Sequence, residues 1–217
     1  MRVLGVDGAV VRGWGEQRPV LVAVDLGQGD VVEAGYMNEY NPQTVEAWLR
    51  GLMQRLGVGV IVTDDLSTYR LVTERLQPGH QVCQFHVRRY VGKSLKQLRE
   101  QVPKEWQWVM DEVEELIDHL PPAGDKRLYY LWQRMSQIRR IGNRKPFTAL
   151  EQLRALVLRL SPHWQSFCTY PFEEVPWTNN RTEQAIGRMK MRARTVRGYK
   201  TWHGMQTGLL LAGALHF

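Results

Sequence analysis

The sequence predicts an α/β protein: a mixed five-stranded sheet flanked by helices, with an all-helical insertion before the last site-bearing helix. Three observations predict it. The chain opens with three β-branched runs joined by Gly and Asp turn residues. Helical and strand-like segments then alternate as far as residue 87. From about 88 to 160 every segment carries helical periodicity.

The first strand is expected in "RVLGVDG", residues 2–8, the second in "PVLVAVD", 19–25, and the third in "VVEAGYM" after the "GQGD" turn. Gly and Asp between two apolar runs are hairpin chemistry, so these three form an antiparallel meander. Residues 42–56 read as a helix. Pro42 suits its first position, and Val45, Trp48, Leu49, Leu52 and Leu56 make one apolar stripe. "GVGVIVTDD" is a continuous apolar run, the pattern of a buried strand parallel to the first. "STYRLVTERL" is a second helix, and "GHQVCQFHV" holds a short fifth strand that enters a helix near Val87. A meander followed by helix–strand alternation gives a mixed sheet covered by helices.

The helical block comprises "RRYVGKSLKQLREQV", "KEWQWVMDEVEELIDHL", "GDKRLYYLWQRMSQIRRI" and "PFTALEQLRALVLRL", broken at Pro103, Pro121–Gly124 and Gly142–Pro146. The predicted organisation is a discontinuous core, 1–100 with 161–217, and a helical insertion over 101–160. A loop, "SPHWQSFCTYPFEEVPW", leads to a basic helix starting near Asn180, and a last helix follows from Trp202.

The 217 residues carry a net charge of +7, a pI of about 9.6 and 43% hydrophobic residues. That length and composition support a sizeable core and exclude a disordered chain. The basic balance favours an acidic partner, most often nucleic acid. Two cysteines, Cys83 and Cys168, do not make a disulfide framework. No segment has the pattern of a signal peptide, and the apolar C-terminal stretch is too short for a bilayer. The expectation is a soluble cytoplasmic protein with no membrane partner.

Three carboxylates stand out. Asp7 ends the first strand and Asp64 the fourth, and reactive groups collect at the carboxyl ends of parallel strands. Two neighbouring carboxylates repel, and a hard divalent cation resolves the conflict. Asp7 alone also suits an Asp-Gly turn, and Asp64 a helix cap. Asp65 competes with Asp64, but alternation along the strand puts Val60, Val62 and Asp64 on one face. Glu183 suits a capping box with Asn180, and the helix dipole favours an acid there anyway. The faces of that helix point elsewhere. Ala185, Ile186, Met189, Ala193 and Val196 make a docking stripe, while Glu183, Gly187, Lys190 and Arg194 share an adjacent face. Gly187 costs roughly 1 kcal/mol against Ala, which a close approach would justify.

Four segments in order, "VLGVDGA", "VIVTDDLSTYR", "QVCQFHVRR" and "TNNRTEQAIGRMKMRARTVRGYKT", resemble the DDE transposases of bacterial insertion sequences, which have a ribonuclease-H-like catalytic core. The third is similar to the Cys-x-x-His signature of the Mutator-like groups. The resemblance implies that Asp7, Asp64 and Glu183 are the DDE triad, with 183 − 64 = 119 residues between the last two. The helical block accounts for that length, as related transposases insert a helical domain there. Asp65 stands where glycine is common in the family. Two Mg²⁺ (or Mn²⁺) ions on the triad would cleave transposon DNA ends with water and join the freed 3′-hydroxyl to target DNA. Lys190, Arg192, Arg194, Arg197 and Lys200, with Arg88 and Arg89, would neutralise phosphates. Cys83, His86 and Asn180 would support the active site; with no second Cys/His pair at the right spacing, zinc is not expected.

The resemblance further implies a homodimer or larger assembly on DNA, in the nucleoid of a bacterium or archaeon. It implies a DNA-binding domain ahead of the core, where this sequence has only six residues before Asp7. The chain is therefore expected to be an excised catalytic domain, a truncated relative or a domesticated one. The competing function is a catalytically silent, transposase-derived DNA-binding protein.

Overall fold

The structure is a computed structural model, and it describes residues 1–136, 138, 148–168 and 175–214. Parts of the helix expected over 124–141 and of the loop expected over 161–177 fall outside those residues. The chain divides into two compact units, Met1–Cys83 with Tyr170–Phe217, and Gln84–Thr169. The helix that begins at Gln84 buries Val87, Val91 and Leu95 among the other helices of the second unit.

The first unit holds a five-stranded sheet in the order β3-β2-β1-β4-β5. β1 (Arg2–Gly13), β2 (Glu16–Asp25) and β3 (Val31–Tyr36) form the antiparallel meander. β4 (Val58–Thr63) lies parallel to β1, and β5 (Gly79–Val82) parallel to β4. β1 runs on well past Gly8, because its outer half pairs with β2 as far as Gly13↔Glu16.

α1 (Pro42–Leu56) and α2 (Ser67–Leu76) cover one face of the sheet, where Leu4, Val6, Leu21, Ala23 and Ile61 pack against Val45, Leu49, Leu52, Tyr69 and Val72. α1 is bounded as its sequence requires. Asn41 accepts the N–H groups of Gln43 and Thr44, Pro42 opens the helix, and Gly57 closes it at φ 64°.

The second unit contains α3 (Gln84–Leu98), α4 (Gln107–His119), α5 (Gly124–Arg134), α6 (Ala149–Leu160) and the short α7 (Trp164–Phe167). Its buried residues include Val91, Met110, Leu116, Leu128, Leu131, Val157 and Trp164, whose indole N–H donates to the Pro121 carbonyl at 2.7 Å. Trp164 and Phe167 thus form a helical turn where the sequence suggested a loop.

The other face of the sheet is covered by α8 (Asn180–Thr195) and α9 (Trp202–Ala214). Val3, Ala9, Val11, Val22, Val60 and Val62 meet Ala185, Ile186, Met189, Ala193, Met205 and Leu209 there. The docking stripe of α8 is as expected except at Val196, which closes the helix and is 36% exposed. Among the described residues no helix is long and apolar enough to cross a membrane.

Candidate active site

The parallel register sets Asp7 and Asp64 side by side. The last paired residues of β1 and β4 are Gly5 and Val62, and each aspartate lies two positions further on (7 − 5 = 64 − 62 = 2). Alternation along both strands assigns Asp7, with Val3 and Ala9, and Asp64, with Val60 and Val62, to the face that α8 covers.

Glu183 arrives on the first turns of α8, and three neighbours fix that helix end against β1 and the turn that follows β2. The buried Asn179 donates its side-chain amide to the Val6 carbonyl at 3.1 Å and accepts the Thr182 hydroxyl at 2.6 Å. A Cβ on Gly5 would overlap Thr182 Oγ1 and Asn179 Oδ1, so only glycine lets the helix sit this close to the strand. Arg181 adds guanidinium bonds to the carbonyls of Leu26 and Gly27. The sequence placed the cap at Asn180. The structure has Asn179 at that position, with its side chain turned to Val6 instead of capping, and Asn180 exposed. Glu183 is then the fourth residue of the helix, one too far for a capping box.

The electrostatics tie the acids together. Asp7 is pushed up to about 7, first by burial, then by the charges of Asp64, Glu39 and Glu183; a hydrogen bond from the Gly8 N–H at 2.8 Å opposes this. Glu39 has no counterpart in the sequence reading. It follows β3, accepts the Tyr69 hydroxyl at 2.9 Å, and its carboxylate fills the space that a side chain on Gly8 would need. Tyr69 is fully buried, and burial together with Glu39 holds its phenol above the ordinary range, so it remains a donor.

Asp65 is engaged elsewhere. It forms an ion pair with Arg70, both side chains being nearly buried, whereas Asp64 accepts the Leu66 N–H at 3.3 Å and acts on Asp7.

The cations of α8 lie on more than one of its faces. Lys190 and Arg194 are exposed on the Glu183 face, and Lys190 lines a groove with Gly8 and Glu39. Arg192 is on another face, beside an apolar groove of about 700 Å³ lined by Arg188, Met191 and Leu211. Arg197 and Lys200 follow α8 and are exposed, Arg197 at φ 57° in the turn that returns Tyr199 to β1. Arg88 and Arg89 belong to α3 of the helical unit, and Arg88 donates to the Asp118 carbonyl. A Cβ on Gly187 would meet no atom among the described residues within 4 Å.

Cys83 is buried at the end of β5, and its sulfur accepts the Asn179 N–H at 3.4 Å, so it supports the start of α8. His86 lies on α3 in the helical unit, half-buried and edge-on to Phe85.

Hard oxygen donors in an electronegative niche are the donor set that a Mg²⁺-sized ion takes. Among the described residues no group of three or more His, Cys, Asp or Glu forms a ready cage. Mg²⁺ is ordinarily held by one or two carboxylates completed by water and substrate phosphate, a number that Asp7 and Asp64 could supply.

The sheet order and its flanking helices are those of a ribonuclease-H-like core, the class in which DDE transposases fall. Residues 22–207 match the Transposase IS66 family, and the chain belongs to that family. The match includes Asp64 and Glu183 and begins after Asp7. No match was found among curated proteins. Among solved structures, the chain is similar to the catalytic core domain of BIV integrase at 15% identity and a TM-score of 0.31, covering 73% of this chain and 81% of that one.

Proposed function

We propose that the chain is a DNA transposase catalytic domain that cuts and joins phosphodiester bonds at Asp7, Asp64 and Glu183. The observation that supports this reading is the parallel register that brings Asp7 and Asp64 side by side, with the start of the basic helix that carries Glu183 latched to Val6.

Asp7, Asp64 and Glu183 are the residues that would hold divalent ions. A pair of Mg²⁺ or Mn²⁺ ions would supply activation of water or a 3′-hydroxyl and neutralise charge on the leaving oxygen. Without an ion, burial first, and then the charges of Asp64, Glu39 and Glu183, leave Asp7 partly protonated near neutral pH. Lys190 and Arg194 extend from Glu183 along α8 and bind phosphates of the strand being cut. Arg88, Arg89, Arg192, Arg197 and Lys200 add sequence-independent, salt-sensitive contacts. Cleavage of transposon ends followed by strand transfer into target DNA, in the bacterial or archaeal cytoplasm and by a dimer or larger assembly, is the full reaction this site would serve. Division of the chain into a core and a helical insertion belongs to the same proposal.

A silent DNA-binding descendant is the competing reading, and the coupled acids favour catalysis over it. The test is cleavage of a labelled linear DNA with Mg²⁺ or Mn²⁺ by the wild type and by Glu183→Gln. Loss of cutting in the variant supports the triad; cutting that survives removes Glu183 from it. DNA binding without cutting by the wild type favours the silent protein.

A further inference from the structure

Past Asp7, β1 continues through Gly8, Ala9 and Val10 along a groove of about 340 Å³. The "NEYN" segment, residues 38–41, between β3 and α1 supplies Asn38, Glu39 and Tyr40 to one wall; Lys190 of α8 lines the groove as well. The volume lies within the roughly 300–1,000 Å³ of small-ligand sites.

The segment is tied down at almost every residue. Asn38 Oδ1 accepts the Tyr40 N–H at 3.0 Å, and the Asn38 carbonyl accepts the Asn41 N–H at 3.1 Å. Asn41 caps α1. Glu39 is held by Tyr69 over Gly8. These bonds fix the backbone around Tyr40 while leaving its side chain 67% exposed. A rigid turn that holds a large ring out to water, at the edge of a groove, is preorganised for a flat apolar partner.

The charges in the groove are complementary to a phosphate on one side only. Lys190 attracts a phosphate, whereas the Glu39 carboxylate repels one. We propose that this groove seats one unpaired nucleotide of the DNA strand next to the phosphate that Asp7 and Asp64 face, with its base stacked on Tyr40 and its phosphate on Lys190. The base has to leave the duplex stack to reach the ring, so the occupant is a nucleotide at a frayed end or flap. This rests on the reading of the site as a DNA-cutting centre.

The test uses the full chain, a fluorescein-labelled single-stranded oligonucleotide of mixed sequence, and the same oligonucleotide carrying 2-aminopurine. Binding, quenching and Mg²⁺-dependent cutting are measured for the wild type, Tyr40→Ala and Tyr40→Phe. Tyr40 is exposed, and circular dichroism verifies that each variant folds. Stacking predicts binding weakened roughly ten-fold in Tyr40→Ala, near wild type in Tyr40→Phe, with an unchanged salt slope. It also predicts 2-aminopurine quenching by the wild type and Tyr40→Phe that Tyr40→Ala loses. If the wild type cuts DNA but Tyr40→Ala binds and quenches equally, the groove assignment falls and the cutting centre stands. If the wild type neither binds nor cuts DNA, both fall together.

Discussion

The side-chain amide of Asn179 donates to the Val6 carbonyl at 3.1 Å and so joins the start of α8 to the residue before Asp7. This bond links the strand that carries one acid to the helix that carries another. Asn179→Ala leaves the buried carbonyl and the Thr182 hydroxyl without that partner, at a cost of about 1–3 kcal/mol. Urea unfolding measures the loss. Cutting is expected to fall further than the folded fraction does, because the helix end that carries Glu183 is no longer fixed.

Gly5 makes the same junction possible by having no side chain. Gly5→Ala forces Thr182 and Asn179 away and is expected to destabilise by about 1–3 kcal/mol, as overpacked cores do. Adding Thr182→Ala relieves part of the overlap. The double variant is then less destabilised than the sum of the two single changes, which a double-mutant cycle reads directly.

Asp64 and Asp65 are expected to separate cleanly. Asp64→Asn abolishes Mg²⁺-dependent cutting with little loss of stability, since a carboxylate next to Asp7 is a burden in the absence of an ion. Asp65→Asn breaks the nearly buried pair with Arg70 and costs about 3 kcal/mol, while cutting by the folded fraction persists. Thermal melts and cleavage rates of the two variants, measured together, check this. The reverse pattern would make Asp65 the ligand.

The raised Asp7 pKa sets a pH dependence. Its folded value is about 7 against 3.8 for the free group, so between those values the folded state holds a proton that the unfolded state has released. The contribution of Asp7 to stability is therefore complete below about pH 4 and lost as pH rises through about 7. The wild type should lose stability relative to Asp7→Asn across that window and level off above it. Mg²⁺ at pH 8 should raise the wild-type melting temperature and leave Asp7→Asn nearly unchanged. A flat difference between the two proteins across the window would contradict the account.

The fold was legible where local chemistry decides it. The meander follows from β-branched runs with Asp and Gly turns, and Asn41, Pro42 and Gly57 bound α1 as caps should. β1 was read short because its outer half depends on pairing with β2, which local pattern does not encode. The juxtaposition of Asp7 and Asp64 was legible from the ends of two strands expected to run parallel. Glu39 was not, since only folding brings it over Gly8 and under the Tyr69 hydroxyl, 69 − 39 = 30 residues away. Asn179 and Asn180 are adjacent and chemically identical, and burial alone distinguishes the latch from its exposed neighbour. Arg192 was expected to neutralise phosphates alongside Lys190, yet its place in the helical repeat puts it on another face.

On the proposed mechanism, Asp7, Asp64 and Glu183 gather divalent ions for reaction on DNA. Anomalous scattering from crystals soaked in Mn²⁺ with a short DNA end tests it most directly. The account predicts a Mn²⁺ peak within coordinating distance of Asp7 and Asp64, and weakened occupancy in Glu183→Gln. A peak held by other side chains, or none here at a concentration that supports cutting, would contradict it.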